Sequence, residues 1–135
     1  MIMQNINWIA VVAAAVSTFL LGGLWYSPVM FGRVWASANK LTEVDLASGN
    51  MAKIFGFSFV FSFLMAANLA AFLSDSKTTT TWGGAAGFLA GFGWVALAIA
   101  VIALFERRSW TYILINGGYM TVSFVVMGLI LGSWR

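Results

Sequence analysis

Apolar residues fill four long stretches of the chain, and charged residues are confined to the segments between them. The stretches without Asp, Glu, Lys or Arg are residues 1–32, 54–74, 78–105 and 109–134. A helix needs about 20 apolar residues to cross the hydrocarbon core of a bilayer. We therefore predict an all-α membrane protein, a single domain over residues 1–135 with four transmembrane helices. Their expected bounds are about residues 6–24, 54–73, 83–105 and 110–131.

The composition narrows the class of protein further. Charged residues make up 8% of the chain and hydrophobic residues 61%, whereas soluble domains have about 25% charged residues. The chain has no Cys, no His and only four Asp or Glu, so we expect no disulfide, metal site, haem or other cofactor. No spacing among the remaining Ser, Thr, Tyr and Lys indicates catalysis, and we expect a protein that is not an enzyme.

The basic residues lie near the ends of the spans and indicate an orientation. The first and third loops carry Arg33, Lys40, Lys53, Arg107 and Arg108. The opposite side carries Lys77 and Arg135. This excess predicts that the first and third loops face the cytoplasm and that both termini lie outside. Despite a pI of 9.7, the charges form no continuous stripe, so we expect the lipid bilayer and not nucleic acid as a partner.

The first loop, residues 25–53, is the one connection long enough to contain its own structure. Ser27-Pro28 is a typical helix start, because Ser caps a helix and Pro suits its first turn. We predict that a short helix begins there and lies in the membrane interface. Thr42 and Asp45 have the spacing of a capping box, with Asp in place of the usual Glu or Gln, and predict a second helix start.

Small residues recur every four positions in two of the spans. The third span has Gly83, Gly87 and Gly91, with Trp94 on roughly the same side. This spacing lets membrane helices approach closely. One interpretation of the glycine row is tight packing within the bundle or with another copy of the chain. The alternative is a substrate groove beneath Trp94. A similar row predicts that the first span packs against the third; its members are Ala10, Ala14, Thr18 and Gly22.

The fourth span carries a row of polar side chains, the polar stripe, which consists of Tyr112, Asn116, Tyr119 and Ser123. At 100° per residue these side chains lie within roughly 40° of the direction of Tyr112. Gly128 and Gly132 lie on the opposite face. A helix that faces lipid needs neither row, so we predict contacts on both faces. We also predict a homo-oligomer to which the fourth span contributes through these glycines.

Asn68 in the second span and Asn116 in the fourth are the most polar side chains at depth. An amide in hydrocarbon is costly unless it is hydrogen-bonded, and interhelical bonds of this kind contribute about 0.6 to 2 kcal/mol. One interpretation is that both amides join helices. The alternative is that they belong to a polar pathway.

Residues 22–35, the aromatic motif, have the pattern Gly-Gly-x-Trp-Tyr-Ser-Pro-x-x-Phe-Gly-x-x-Trp. Its candidate binding residues are Trp25, Tyr26, Ser27, Pro28, Phe31, Gly32, Arg33 and Trp35. The pattern resembles the signature of the DUF1761 family, small bacterial membrane proteins of uncharacterised function. The agreement extends to Asn7-Trp8, to Leu41-Thr42-Glu43 and to the four apolar spans. The resemblance implies a helical protein of the bacterial inner membrane and brings no catalytic residues.

Two classes of function remain open. A conduit for small solutes or ions would be lined by the polar stripe, together with Asn68 and Trp94, and would require several subunits. Alternatively, a non-transporting membrane protein would bind a lipid, a hydrophobic small molecule or a protein partner through the aromatic motif. Arg33 beside the aromatic side chains would then hold an anionic lipid headgroup.

Overall fold

The computed structural model describes residues 6–135, and this part of the chain is helical without any strand. The helices are α1 (Trp8–Trp25), α2 (Gly32–Ala38), α3 (Glu43–Ser48), α4 (Met51–Phe72), α5 (Thr80–Ala90), α6 (Leu97–Phe105) and α7 (Trp110–Ser133). A π-helical turn, Gly91–Ala96, joins α5 to α6 into one continuous third span. Four helical segments are long and apolar enough to cross a membrane. The all-α, multi-pass fold is therefore confirmed, while residues 1–5 of the predicted domain lie outside the described residues.

Polar side chains fix where the long helices begin. At each start, a side-chain oxygen accepts hydrogen bonds from backbone N–H groups in the first turn; these capping residues are Asn7, Asn50, Thr79 and Ser109. The caps satisfy donors that have no partner inside the helix. The second and third spans therefore begin three residues earlier than predicted, at Met51 and Thr80, because the caps Asn50 and Thr79 set their starts.

The two central spans are α1 and α7, which pack against each other. The other principal contact of α1 is with α4, whereas α7 packs along the third span. The prediction that the first span packs mainly against the third is therefore wrong. Both of these spans pack against α7 instead. We call the end with the first and third loops the loop end. The end with the second loop and the C-terminus is the terminal end.

The apolar core is densest towards the terminal end, where side chains from all four spans meet. Its largest fully buried apolar side chains are Val11, Leu73 and Met127. Arg135 joins α7 to α4 here, because its guanidinium donates to the backbone carbonyls of Leu73 and Asp75. These carbonyls lie just beyond the last turn of α4, where intrahelical donors are missing.

The first loop contains two short helices, but the first begins later than predicted. Ser27 closes α1 instead of starting α2, because its hydroxyl donates to the Leu24 carbonyl at 2.7 Å. The Ser27 carbonyl accepts hydrogen bonds from the N–H groups of Met30 at 3.1 Å and Gly32 at 2.9 Å. These bonds form a turn over residues 26–31, so the helix starts at Gly32 and not at Ser27-Pro28.

The capping box at the start of α3 is confirmed. The Thr42 hydroxyl accepts a hydrogen bond from the Asp45 N–H at 3.2 Å, and the Asp45 carboxylate accepts one from the Thr42 N–H at 2.9 Å. Because the Thr42 N–H and then its hydroxyl donate to the carboxylate, the pKa of Asp45 lies below its usual range. Residues 41–50 are all exposed, so these local bonds and not core packing hold α3.

Candidate functional site

The aromatic motif forms a closed turn at the loop end of α1. The Phe31 N–H donates to the Trp25 carbonyl at 3.0 Å, and the ring centroids of the same two residues are 4.8 Å apart. A Cβ atom on Gly32 would overlap the carbonyl oxygen of Tyr26. The backbone of α2 therefore contacts the turn directly, and only glycine permits this approach.

Two side chains of the motif bind the first half of α7. Trp25 Nε1 donates to the Ile115 carbonyl at 3.0 Å. The Tyr26 hydroxyl donates to Oδ1 of Asn116 at 2.6 Å, and Nδ2 of Asn116 donates to the Tyr112 carbonyl at 3.0 Å. Both ends of the Asn116 carboxamide are thus hydrogen-bonded inside the chain, as an amide at membrane depth requires.

Tyr119 connects the motif to the middle of α1. Its hydroxyl donates to the Thr18 carbonyl at 2.9 Å, and its ring lies edge-on to that of Tyr26, with centroids 5.3 Å apart. Tyr26 is also edge-on to Trp35, at 5.4 Å. Such pairs contribute about 0.5 to 1.5 kcal/mol beyond their burial. The last residue of the stripe, Ser123, is fully buried, and its hydroxyl has no hydrogen-bond partner within residues 6–135.

The aromatic motif and the polar stripe, two separate candidate sites in the sequence, are one site in the structure. We call this site the aromatic–amide cluster; it consists of Trp25, Tyr26, Phe31, Trp35, Tyr112, Asn116 and Tyr119. Hydrogen bonds and ring contacts join these residues into one network at the loop end. Two members of the polar stripe, Asn116 and Tyr119, therefore form their hydrogen bonds within the same chain.

Several residues of the motif are exposed beside the cluster. Pro28 and Val29 are exposed at the tip of the turn, and Val29 has 85% of its surface accessible. On the following helix, Arg33 and Val34 are also exposed. Within residues 6–135 Arg33 takes part in no ion pair. The motif thus has an inward aromatic half and an outward half that combines apolar side chains with one cation.

A second cation borders the cluster from the third loop. The Arg108 guanidinium lies over the Tyr112 ring, 5.3 Å from its centroid, which is within range for a cation–π contact. Arg108 Nε is also 3.8 Å from Glu106 Oε1, and both side chains are largely exposed. Exposed ion pairs of this kind contribute little, so the guanidinium stays available. In the described part of the chain, no three His, Cys, Asp or Glu side chains come together as metal ligands.

Two candidates for a polar pathway lie outside the cluster. Trp94 is 77% exposed, and Asn68 is exposed on α4. The π-helical turn that contains Trp94 has more residues per turn than an α-helix, so it rotates Trp94 away from the row of glycines before it. That row is buried against α7, and the predicted substrate groove beneath Trp94 has no support from this geometry.

The glycines of the third and fourth spans contact each other. A Cβ on Gly128 would overlap the Gly83 carbonyl, and one on Gly87 would overlap the Phe124 carbonyl. Gly132 faces Thr79 and Gly83, and Gly91 faces the Phe124 side chain. The glycine face of α7 is therefore occupied within the subunit. Gly128 and Gly132 are buried against α5, which leaves them no exposed surface for the predicted subunit contact.

Some residues of the site were missed in the sequence. The backbone carbonyls of Ile115 and Thr18 accept hydrogen bonds from Trp25 and Tyr119. Every residue has a backbone carbonyl, so the residue type does not indicate which carbonyl will accept a bond. The specific role of Gly118 was also missed; a Cβ there would lie 3.1 Å from the Trp25 ring. The pair of glycines between Asn116 and Tyr119 was the available signal, because it leaves room for a large ring on α7.

Comparison with known proteins gives one match over this architecture. The model of a family described as "Protein of unknown function (DUF1761)" matches residues 9–132. This range includes the aromatic–amide cluster and all four spans except the first residue of α1 and the last residue of α7. No curated protein and no solved structure matches the chain.

Proposed function

The chain belongs to the DUF1761 family, and from its geometry we propose that it is a non-catalytic, non-transporting membrane protein that binds the phosphate headgroup of an anionic lipid. The proposed binding surface lies at the loop end, between the outward half of the aromatic motif and Arg108. We further propose a bacterial inner membrane as its location, with the loop end in the cytoplasm. The excess of basic residues at this end supports that orientation.

The proposal rests on the division of the aromatic motif into an inward aromatic half and an exposed outward half. Trp25 and Tyr26 fix the turn to α7 through hydrogen bonds of 3.0 and 2.6 Å. The same short segment exposes Val29, Arg33 and Val34. A rigid base beneath exposed apolar side chains and a cation is the arrangement that binds at a membrane interface, because the apolar part enters the acyl boundary and the cation meets the headgroup.

The chemistry of the two arginines fits a phosphate. A guanidinium presents its donors in a planar fork that matches phosphate oxygens. Arg33 is exposed in α2, two residues before Trp35, and Arg108 lies over the Tyr112 ring. A cation near an anionic membrane surface contributes about 1 kcal/mol, so two of them favour an anionic headgroup over a zwitterionic one.

The same geometry gives less support to a conduit. Both ends of the Asn116 amide and the Tyr26 and Tyr119 hydroxyls are hydrogen-bonded within the chain. A solute path along the polar stripe would have to break these bonds, and each net hydrogen bond is worth about 1 kcal/mol. Asn68 and Trp94, the other residues of that hypothesis, lie outside the cluster.

Lipid binding can be measured by native mass spectrometry of the protein released from nanodiscs that contain equal amounts of phosphatidylglycerol and phosphatidylcholine. We expect the wild-type protein to retain phosphatidylglycerol preferentially. Arg33→Gln and Arg108→Gln should each reduce this preference by roughly fivefold, which corresponds to about 1 kcal/mol per cation. The double variant should lose the preference almost completely.

Arg107→Gln is the matched control, because it removes the same charge from an exposed residue of the third loop that makes no contact with the cluster rings. An equal loss in all three single variants would show non-specific attraction and contradict the proposed site. Ion or solute flux through proteoliposomes that disappears in Asn116→Leu would support the conduit instead.

A further inference from the structure

Asn68 is a polar side chain on the outermost face of the second span. Around α4, the bundle-facing residues include Ser62, Ala66 and Leu69, which are buried. At 100° per residue Asn68 lies roughly opposite Ala66, and it is exposed. Within residues 6–135 its carboxamide makes no hydrogen bond with another side chain or with the backbone. This amide therefore faces away from its own subunit.

From the length of the apolar stretch in α4, we expect the amide to lie inside the hydrocarbon region and not at the membrane surface. Lys53 is the last charged residue before the apolar stretch from Ile54 to Phe72. This stretch is roughly 28 Å long at 1.5 Å per residue. This length nearly equals the hydrocarbon thickness of about 30 Å. Asn68 is one helical turn before Phe72, so its short side chain is surrounded by lipid in a single subunit. Lipid offers it no hydrogen-bond partner.

We propose that α4 forms a dimer interface with a second copy of this chain and that the two Asn68 carboxamides hydrogen-bond to each other across a two-fold axis along the membrane normal. Such an axis places Asn68 at the same depth in both subunits, and an interface of this type joins the same surface of each subunit. A carboxamide has both a donor and an acceptor, so two copies satisfy each other reciprocally.

The position of α4 makes this contact possible. Its principal contact within the subunit is with α1, which leaves the opposite face uncovered. Phe57, Phe61 and Leu64 are exposed on the same face as Asn68, with roughly the i, i+4, i+7, i+11 spacing of one helix surface. A second copy would bury this apolar row along with the amide. The contact replaces the one predicted through the fourth span, whose glycine face is occupied by α5.

Cysteine crosslinking tests the interface directly, because the chain contains no Cys. Leu64→Cys introduces a reporter one turn from Asn68 on the same face. Leu89→Cys is the matched control on α5, since the two leucines are similarly exposed, at 52% and 58%, and lie at similar depth from the terminal end. In liposomes at low protein-to-lipid ratio, we expect Leu64→Cys to give crosslinked dimers and Leu89→Cys to give few.

Adding Asn68→Leu to the Leu64→Cys variant should weaken dimerisation roughly tenfold, whereas Asn68→Gln should keep most of it. Circular dichroism should be unchanged in Asn68→Leu, because the residue faces away from the subunit core. Thermal unfolding should be unchanged at protein-to-lipid ratios so low that the wild-type protein is itself monomeric. Equal crosslinking at Leu64→Cys and Leu89→Cys, or dimers that persist unchanged in Asn68→Leu, would overturn the proposal. A monomer at every protein-to-lipid ratio would also overturn it.

Discussion

The two faces of α7 are closed by different means. Towards α5, the glycines of both helices bring backbone against backbone, so that a Cβ on Gly83 or Gly128 would overlap the other helix. Towards α1 and the aromatic motif, the contact is made by side chains, with Tyr26 bonded to Asn116 and Tyr119 bonded to the Thr18 carbonyl. One face depends on the absence of side-chain atoms, and the other depends on specific side-chain atoms.

This difference determines how each face responds to change. A backbone contact cannot yield locally, because moving a carbonyl moves the whole helix. A side-chain contact can yield, because a ring or an amide can rotate while the helix stays in position. We therefore expect the glycine face to fix the distance between helices, and the polar face to fix which part of the first loop docks on α7.

The largest effect should follow from adding a methyl group on the glycine face. Gly128→Ala would force its Cβ against the Gly83 carbonyl, so α5 and α7 would have to separate. We expect a loss of about 3 kcal/mol in the free energy of unfolding, measured by denaturant titration in mild detergent. Gly56→Ala is the control, because nothing lies within 4 Å of a Cβ there, and it should stabilise the protein by about 0.5 to 1 kcal/mol. Equal effects in the two variants would show that the helices are not in backbone contact.

An intermediate effect is expected on the polar face. Tyr26→Phe removes the donor to Asn116 and should cost about 1 kcal/mol. Asn116→Leu should cost more, because the Tyr26 hydroxyl is then left without its acceptor. A double-mutant cycle measured by the same titration should give a coupling energy of about 0.6 to 2 kcal/mol. A coupling near zero would mean that the two side chains are independent and that the motif docks through its rings alone.

The sequence was sufficient to predict the helices, since the four apolar stretches coincide with the four spans of the structure. Local chemistry was equally predictable where it involves neighbouring residues, as in the capping box of Thr42 and Asp45. Both results follow from short-range rules, in which helix periodicity and caps depend only on residues within one turn.

The partners of each helix face were not predictable in the same way. Periodicity places Gly128 and Gly132 on one face, but it carries no information on whether α5 or a second copy covers that face. Asn68 and Asn116 illustrate the same limit, because both are amides within apolar spans, and among the described residues only Asn116 has hydrogen-bond partners. The position of Trp94 was mispredicted for a local reason. The π-helical turn has a smaller angle per residue than the α-helix that was assumed when Trp94 was placed on the glycine face.

The smallest effect should come from Gly22, where both kinds of contact meet. A Cβ on Gly22 would lie 2.9 Å from the Tyr119 hydroxyl, so the close atom is the end of a side chain and not backbone. Tyr119 can shift by a few tenths of an ångström, and alanine gains about 0.5 to 1 kcal/mol over glycine within a helix. Gly22→Ala should therefore change the free energy of unfolding by less than about 0.5 kcal/mol, whereas in a Tyr119→Phe background the same change should become stabilising. A loss as large as that of Gly128→Ala would mean that the α1–α7 contact is as rigid as the glycine face, and the distinction between the two faces of α7 would fail.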